Sequence, residues 1–431
     1  MTDPQYAIPE EETLDADGVR RLQRRKLAAM WERIMRSNAF CKEKFGGIGF
    51  DPLNDPMQKL PLTTRKELEQ DQLNCPPYGS NLTEPLDHYT RYHQTSGSSG
   101  RPMRWLDTPQ TWDWFKKCWF LNFRAAGVGA GDRVAFPFSF GPFIGFWAAF
   151  ESAQSLGCLC IAAGAMTTVA RLRLIVENNV QVICCTPTYA MHMAEVANRE
   201  KINIRDSAVQ RLFVAGEPGG NIPETRRVIE DSWNARVFDH SGMTEIGALG
   251  FECSERPGGS HLIESECIAE VIDPKTLSPV PDGQPGELVI TNLGRTASPV
   301  IRYRTGDQVR LSRGKCACGR WFARMEGGIL GRIDDMFTVR GNNVFPSGLE
   351  ALIRRFDEIA EFRVEVVTES ALTEVRIDIE PEPGCTNPAF LEAQLAQLIQ
   401  NTLNFRAEVR SVPPGSLPRF EMKARRFIRR K

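Results

Sequence analysis

The sequence predicts an α/β protein: a large N-terminal, multi-lobed domain with mostly parallel sheets and a small β lobe, followed by a small α+β C-terminal domain. Three observations predict it. From Asp132 to Val237, short apolar runs alternate with helical patterns, the rhythm of βαβ units. Residues 262–312 then change to β-like pieces punctuated by Asp-Pro, Pro-Asp-Gly and Gly-Arg turns. Beyond Gly331-Arg332-Ile333-Asp334-Asp335 a compact segment of helix and strand patterns begins. The expected division is residues 1–333 and 334–431.

The elements follow in order. Val19 to Phe45 has helical spacing of Leu22, Leu27, Met30, Trp31, Ile34 and Met35. Thr64, three residues before Glu67, reads as a capped helix start. His88 to Tyr92 and Met103 to Leu106 read as strands on either side of a Ser/Gly loop, and Thr108 to Ala126 as an amphipathic helix with a core-facing aromatic side. In the alternating region, strands are expected at Arg133–Phe136, Cys158–Ala162, Val182–Cys185, Arg211–Ala215 and Arg236–Phe238. Helices are expected at Phe146–Ser155, Arg171–Asn178, Tyr189–Arg199 and Pro223–Ser232. Ligands of such sheets gather at the carboxyl ends of the strands, which points to the loops 216–220 and 239–245. In the last segment, Phe337–Val339 is strand-like and Ser347–Phe356 is helical. Arg363–Val367 pairs with Glu374–Ile379, Pro388–Leu403 is helical, and Arg406–Val412 closes the pattern.

At 431 residues the chain exceeds one ordinary core. Its 53 basic and 54 acidic residues leave a net charge of −1, so bulk electrostatics gives no reason to expect a nucleic-acid partner. Met1 to Leu14 is acidic and lacks the apolar core of a signal peptide. Val134 to Phe150, the most apolar run, is broken by Pro137, Gly141 and Pro142 and reads as a buried strand-turn-helix, not a membrane span. Twelve cysteines without a secretory signal imply reduced thiols. A cytoplasmic protein is expected.

Thr95-Ser96-Gly97-Ser98-Ser99-Gly100 combines hydroxyls with residues that let backbone N–H groups converge on an anion, although in isolation it also reads as a flexible linker. No Lys follows the second glycine, so it is not the Gly-Lys-Ser/Thr nucleotide loop. Four further pieces follow in order: Ser241-Gly242-Met243-Thr244-Glu245, Tyr303-Arg304-Thr305-Gly306-Asp307, Gly331-Arg332-Ile333-Asp334-Asp335, and Leu417-Pro418-Arg419-Phe420-Glu421-Met422-Lys423. With these five motifs the chain, from about residue 20 onward, resembles the adenylate-forming superfamily of acyl-CoA synthetases. It looks most like the phenylacetate-CoA ligase and coenzyme F390 synthetase-like branch.

That resemblance implies ATP, Mg²⁺ and coenzyme A as cofactors and a small aromatic carboxylic acid, arylacetic or benzoic, as substrate. It implies that Thr95 to Gly100 close on the β- and γ-phosphates, with Arg101 or Arg104 as cationic help. Glu245 would hold Mg²⁺, Thr244 would contact the α-phosphate, and Asp307 would accept hydrogen bonds from the ribose with Arg332 beside it. Ala215-Gly216-Glu217-Pro218 would form the adenine wall, and Asp239, His240 and Ser241 would line the same nucleotide site. Lys423 would be the adenylation lysine. Asp334 would be the hinge of a mobile small domain that swings Arg340-Gly341-Asn342-Asn343 in for the thiol step. The chain departs from the pattern at Ser241, where an aromatic residue is usual, and at Met422, where Gly is usual. The adenine stack must then come from elsewhere, with His240 and the Gly216 loop as candidates. Two alternatives stay open: delivery of the acyl group to a carrier-protein thiol or an amine, and a catalytically inactive nucleotide-binding module. A homodimer is also left open.

Two more stretches carry chemistry. Cys316-Ala317-Cys318 is a tight chelating turn, and with Cys253 and His261 it offers soft ligands suited to tetrahedral Zn²⁺, with Cys267 as the competing fourth ligand. The branch carries a similar arrangement, which implies a structural zinc. Phe136, Phe138, Phe140, Gly141 and Phe143 lie where the branch shapes its acyl pocket, together with Ala215, Gly242 and Met243. Aromatic walls suit a flat acid.

Overall fold

The computed structural model describes residues 6–95, 101–339, 342–369, 372–420 and 424–430. Five strands form a parallel sheet in the spatial order Leu159–Ala162, Arg133–Phe136, Val182–Cys185, Arg211–Val214, Arg236–Asp239. Helices Trp147–Ser155, Thr168–Glu177, Pro187–Arg199 and Pro223–Trp233 alternate with these strands along the chain. Val182–Cys185 is buried at every position, as a central parallel strand requires. Its two cysteines are core side chains.

A second, antiparallel sheet has seven strands and carries the β lobe. Its long strand Tyr303–Ser312 pairs with Pro285–Asn292 and, through Asp307↔Arg332, with the short strand Gly331–Arg332. Residues from Phe337 onward enclose a separate core of Leu349, Ile353, Phe362, Val364, Ile377, Leu395 and Ile399. Four strands there are ordered Glu408–Ser411, Leu372–Pro381, Ile359–Glu369, Phe427–Arg430, flanked by helices Pro346–Ile353 and Pro388–Leu403. Among the described residues no helix is long and apolar enough to cross a membrane.

Two expected elements differ. The helix expected over Val19–Phe45 is two helices, Ala16–Ser37 and Ala39–Phe45. Asn38 breaks it: its backbone is extended and its side chain accepts the Cys41 N–H, capping the second helix. The strand expected at His88–Tyr92 is Arg91–Gln94, because Leu86–His88 is taken by a 3₁₀ turn. The capping box at Thr64 forms with both of its hydrogen bonds.

Candidate active site

The strands ending at Phe136, Cys185, Val214 and Asp239 run parallel, so the loops that follow them share one edge of the sheet. Gly216 there has φ +94°, open to glycine at little cost. Asp239 is fed into the same edge because Gly220 has no side chain; a Cβ would lie 2.2 Å from Asp239 Oδ1. Asn221 donates to Asp239 Oδ2, and burial together with the nearby Glu252 charge pushes the Asp239 carboxyl up to about 7.

His240 does not offer its ring for stacking on adenine. It is buried, its ring centroid lies 4.1 Å from that of Trp119, and its Nδ1–H faces Asn122 Oδ1 and the Gly250 carbonyl, each at 3.0 Å. Burial lowers its pKa to about 4. The neighbouring Ser241 Oγ is buried without a hydrogen-bond partner.

The Thr244-Glu245 turn is held from beneath. Arg295 donates to the carbonyls of Thr244 and Glu245 and forms a two-pronged pair with Asp107 at 2.9 and 2.7 Å. Both side chains of that pair are fully buried, and the guanidinium lies between the rings of Trp105 and Phe115. Glu245 points to Arg65, whose Nη1 is 3.3 Å from Glu245 Oε1 while Nη2 is 3.4 Å from Thr95 Oγ1. Burial raises the Glu245 pKa against the pull of Arg65.

Thr95 stands at the mouth of the Ser/Gly loop, with Gln94 paired to Arg104 across the hairpin. Ser96, Gly97, Ser98, Ser99 and Gly100 lie outside the described residues. Arg104 is turned to the Pro77 carbonyl, and Arg65 brings a guanidinium to this corner instead. Sequence reasoning missed Arg65 and Arg295. Arg65 had one local signal, its place in the first turn of the capped helix; Arg295 had none.

Asp307 is buried, and its pairing with Arg332 is set by strand register. Arg332 Nη1 lies 3.2 Å from Asp307 Oδ1, and its other nitrogens hold both carboxylate oxygens of Asp334 at 3.0 and 3.2 Å. Burial raises the Asp307 pKa to about 6, opposed by Arg332. Glu421, Met422 and Lys423 lie outside the described residues, as do Arg340 and Gly341.

Near the C-terminus two arginines differ: Arg426 is enclosed, whereas Arg429 is exposed. Arg426 is buried against Glu361, and Arg429 donates to the carbonyls of Asp334 and Asp335.

Cys253, His261, Cys316 and Cys318 are all buried, and their ligand atoms lie within 4.8 Å of one another. The Cys253–Cys316 sulfurs are 3.9 Å apart, and His261 Nε2 is 3.6 Å from Cys318 Sγ. Tetrahedral zinc with bonds of about 2.3 Å to sulfur needs sulfurs ~3.8 Å apart, so the donor set fits this metal. His261 Nδ1 is anchored by the Phe322 carbonyl at 2.9 Å, which turns Nε2 toward the thiols. Cys267, the expected competitor, is instead a core side chain packed with Leu288 and Ile290.

The acyl-pocket residues divide. Phe136 is fully buried among Phe146 and Phe150 and is core, not wall. Phe138 and Phe140 are half-buried, Phe143 is 37% exposed, and the Trp147 ring is tilted against Phe140 with centroids 4.6 Å apart. Gly141 gives its carbonyl to the Trp147 indole N–H. Ala215 and Met243 are half-buried, and Gly242 is exposed.

A parallel sheet with loops of this kind, a buried Asp–Arg pair and a separate α+β unit define an adenylate-forming enzyme. Residues 69–296 match the model of the AMP-binding enzyme family, and residues 341–431 match that of the AMP-binding enzyme C-terminal domain. The chain belongs to the AMP-binding enzyme family, in its phenylacetate-CoA ligase-like branch.

Phenylacetate-coenzyme A ligase of Thermus thermophilus is 28% identical, covering 96% of each chain. That of Pseudomonas putida is 29% identical, covering 96% of this chain and 94% of its own. Among solved structures, 2-hydroxyisobutyryl-CoA ligase in its postadenylation state with 2-HIB-AMP superposes with a TM-score of 0.92 at 29% identity, covering 100% of this chain and 94% of its own. The same ligase in the thioesterification state with CoA superposes at 0.75, covering 100% and 93%.

Proposed function

We propose that this AMP-forming acid–CoA ligase activates an aromatic carboxylic acid, arylacetic or benzoic, to its acyl-adenylate and passes the acyl group to coenzyme A. The observation that carries the choice of acid is the half-exposed cluster of Phe138, Phe140, Phe143 and Trp147 after the strand Arg133–Phe136, at the nucleotide edge of the sheet. Flat rings lining a cleft favour a flat substrate.

In the first step a carboxylate oxygen attacks the α-phosphorus of ATP, and the bond to pyrophosphate breaks. Both reactants are anions, so the site must neutralise charge and align them. The Thr95–Gly100 loop would hold the β- and γ-phosphates with Arg65 as the nearby cation, and Thr244 would touch the α-phosphate. Asp307 would accept hydrogen bonds from the ribose, and Lys423 would stabilise charge between carboxylate and phosphate. Glu245, a buried carboxylate, would hold Mg²⁺, which would supply charge neutralisation at the phosphates when bound.

In the second step the thiol sulfur attacks the acyl carbon, the bond to AMP breaks, and the thiol proton is lost. The 334–431 domain would turn about Asp334 between the steps. The closer match to the postadenylation structure supports assigning the present arrangement to the adenylation side. Cys253, His261, Cys316 and Cys318 would hold Zn²⁺ in a purely structural role. A cytoplasmic setting belongs to the proposal and is supported by twelve free cysteines.

A short hydroxy acid is the alternative substrate. It is favoured by the likeness to 2-hydroxyisobutyryl-CoA ligase and by the unpartnered Ser241 hydroxyl beside Gly242. The deciding experiment is acid-dependent exchange of labelled pyrophosphate into ATP over aryl and short hydroxy acids, repeated with coenzyme A to detect thioester. Exchange with aryl acids and thioester formation are expected. Exchange with hydroxy acids alone would replace the acid. Exchange without thioester would favour a carrier thiol or an amine, and none with any acid would refute the activity.

A further inference from the structure

Glu217 follows the strand Arg211–Val214, in the loop expected to wall the adenine. Its carboxylate is turned to a different task. Oε1 accepts the Thr188 N–H at 2.9 Å, in the first turn of the helix Pro187–Arg199. Oε2 accepts the Ala424 N–H at 2.7 Å, and Ala424 is the residue that follows Lys423 in the chain. One side chain thus takes backbone donors from both domains, and each oxygen has its own.

A second bond converges on the same turn. Arg426 Nη1 donates to Thr188 Oγ1 at 3.1 Å, while Glu361 grips the rest of that guanidinium at 2.6 and 2.9 Å. The segment just after Lys423 is therefore tied to the large domain by the Ala424 backbone N–H and by the Arg426 side chain, two residues apart. The Ala424 side chain is a single methyl, so its own polar tie to the large domain is the backbone N–H that the Glu217 carboxylate accepts.

Resting on the ligase activity proposed above, we propose that Glu217 is a positioning residue: it clasps the backbone beside Lys423 for adenylation and lets go when the small domain turns for thiolation. An N–H bond to a carboxylate is charge-assisted, and one made in only one of two domain arrangements biases their equilibrium by its whole net strength. Rotating the small domain about Asp334 moves Ala424 off the carboxylate. The Thr188 bond lies within the large domain and persists, so Glu217 stays aimed and the clasp can reform each turnover.

Glu217→Gln tests this. An amide side chain has one acceptor oxygen, so one of the two N–H donors must face an NH₂ group. Three readouts are needed: single-turnover pyrophosphate exchange, thiolation of supplied acyl-adenylate, and the distance between dyes on the two domains with AMP alone. Exchange is expected to slow by about ten- to a hundredfold, the loss of one hydrogen bond to a charged group, at an unchanged KM for ATP. Thiolation should hold or quicken, and the AMP-bound interdomain distance should shift.

A raised KM at unchanged turnover would overturn the clasp in favour of an adenine wall. Equal loss of both half-reactions at an unchanged distance would overturn it in favour of a merely structural carboxylate. If the wild-type enzyme exchanges with no acid yet Glu217→Gln still shifts the distance, the activity falls and the clasp stands.

Discussion

In its proposed role as the ribose acceptor, Asp307 joins burial to ligand binding. With its pKa raised to about 6 by burial, it is ionised at neutral pH and protonates as pH falls through that value. A protonated carboxyl accepts ribose hydroxyls less well, so kcat/KM for ATP in the exchange reaction should fall below pH ~6 and stay level above it. Asp307→Asn should remove that acid limb and lower the plateau by about tenfold. An acid limb that persists unchanged in Asp307→Asn would assign it to another group.

Asp107 makes a different prediction, about stability. Its pair with Arg295 has no exposed surface, so Asp107→Asn leaves a buried guanidinium without its counter-charge. A cost of about 3–5 kcal/mol in urea unfolding is expected, with weakened Mg²⁺·ATP use as the Thr244-Glu245 turn loosens.

The two residues differ in how far the sequence revealed them. Asp307 and Arg332 sit in recognisable motifs and meet through strand register. Arg295 and Asp107 are 188 positions apart and have no local signature, and only folding places the guanidinium under the turn. His240 shows the opposite failure. An imidazole in a ligand loop looks available from sequence, but its direction depends on Trp119 and Asn122, far away in the chain.

At the level of elements, alternation of strand and helix was readable because a parallel strand buried on both faces must be apolar throughout. Breaks were harder. Asn38 lies inside a continuous apolar periodicity, and its capping bond, not its hydropathy, ends one helix and starts the next. Phe136 likewise carries the same side chain as Phe138 and Phe140, yet the strand register turns it wholly inward.

The Cys253–His261–Cys316–Cys318 group was legible as two pieces, and their meeting depends on the antiparallel pairing of Gly259–Leu262 with Arg324–Glu326. Purified protein should carry one zinc per chain by metal analysis. The double substitution Cys316→Ser and Cys318→Ser should lose it and lower Tm by at least about 5 °C. A folded native protein free of metal would refute the site.

For the whole molecule, the two domains meet through scattered charges: Arg419 with Glu195, Arg355 with Glu224, and Arg227 with Asp357. Exposed pairs of this sort are individually weak, which suits the domain turn proposed above. Removing all three through Glu195→Ala, Glu224→Ala and Arg227→Ala should slow exchange by about two- to tenfold while thiolation is spared. Added salt should reproduce the effect in the wild-type protein and do little to the triple variant, a comparison that separates an ionic preference from a folding defect. None of these pairs was legible beforehand, since each joins surfaces from separate cores.

The strand Phe427–Arg430 pairs in parallel with Ile359–Glu369 at the edge of the four-stranded sheet, three residues beyond Ala424. The chain that follows Ala424 is therefore anchored in a sheet. Shifting that stretch of backbone alone would mean pulling against a row of interstrand hydrogen bonds, whereas turning the domain as one body breaks none of them. The exchange of one catalytic group for another should then behave as a two-position mechanical stop, with few half-engaged states in which an acyl-adenylate is exposed to water.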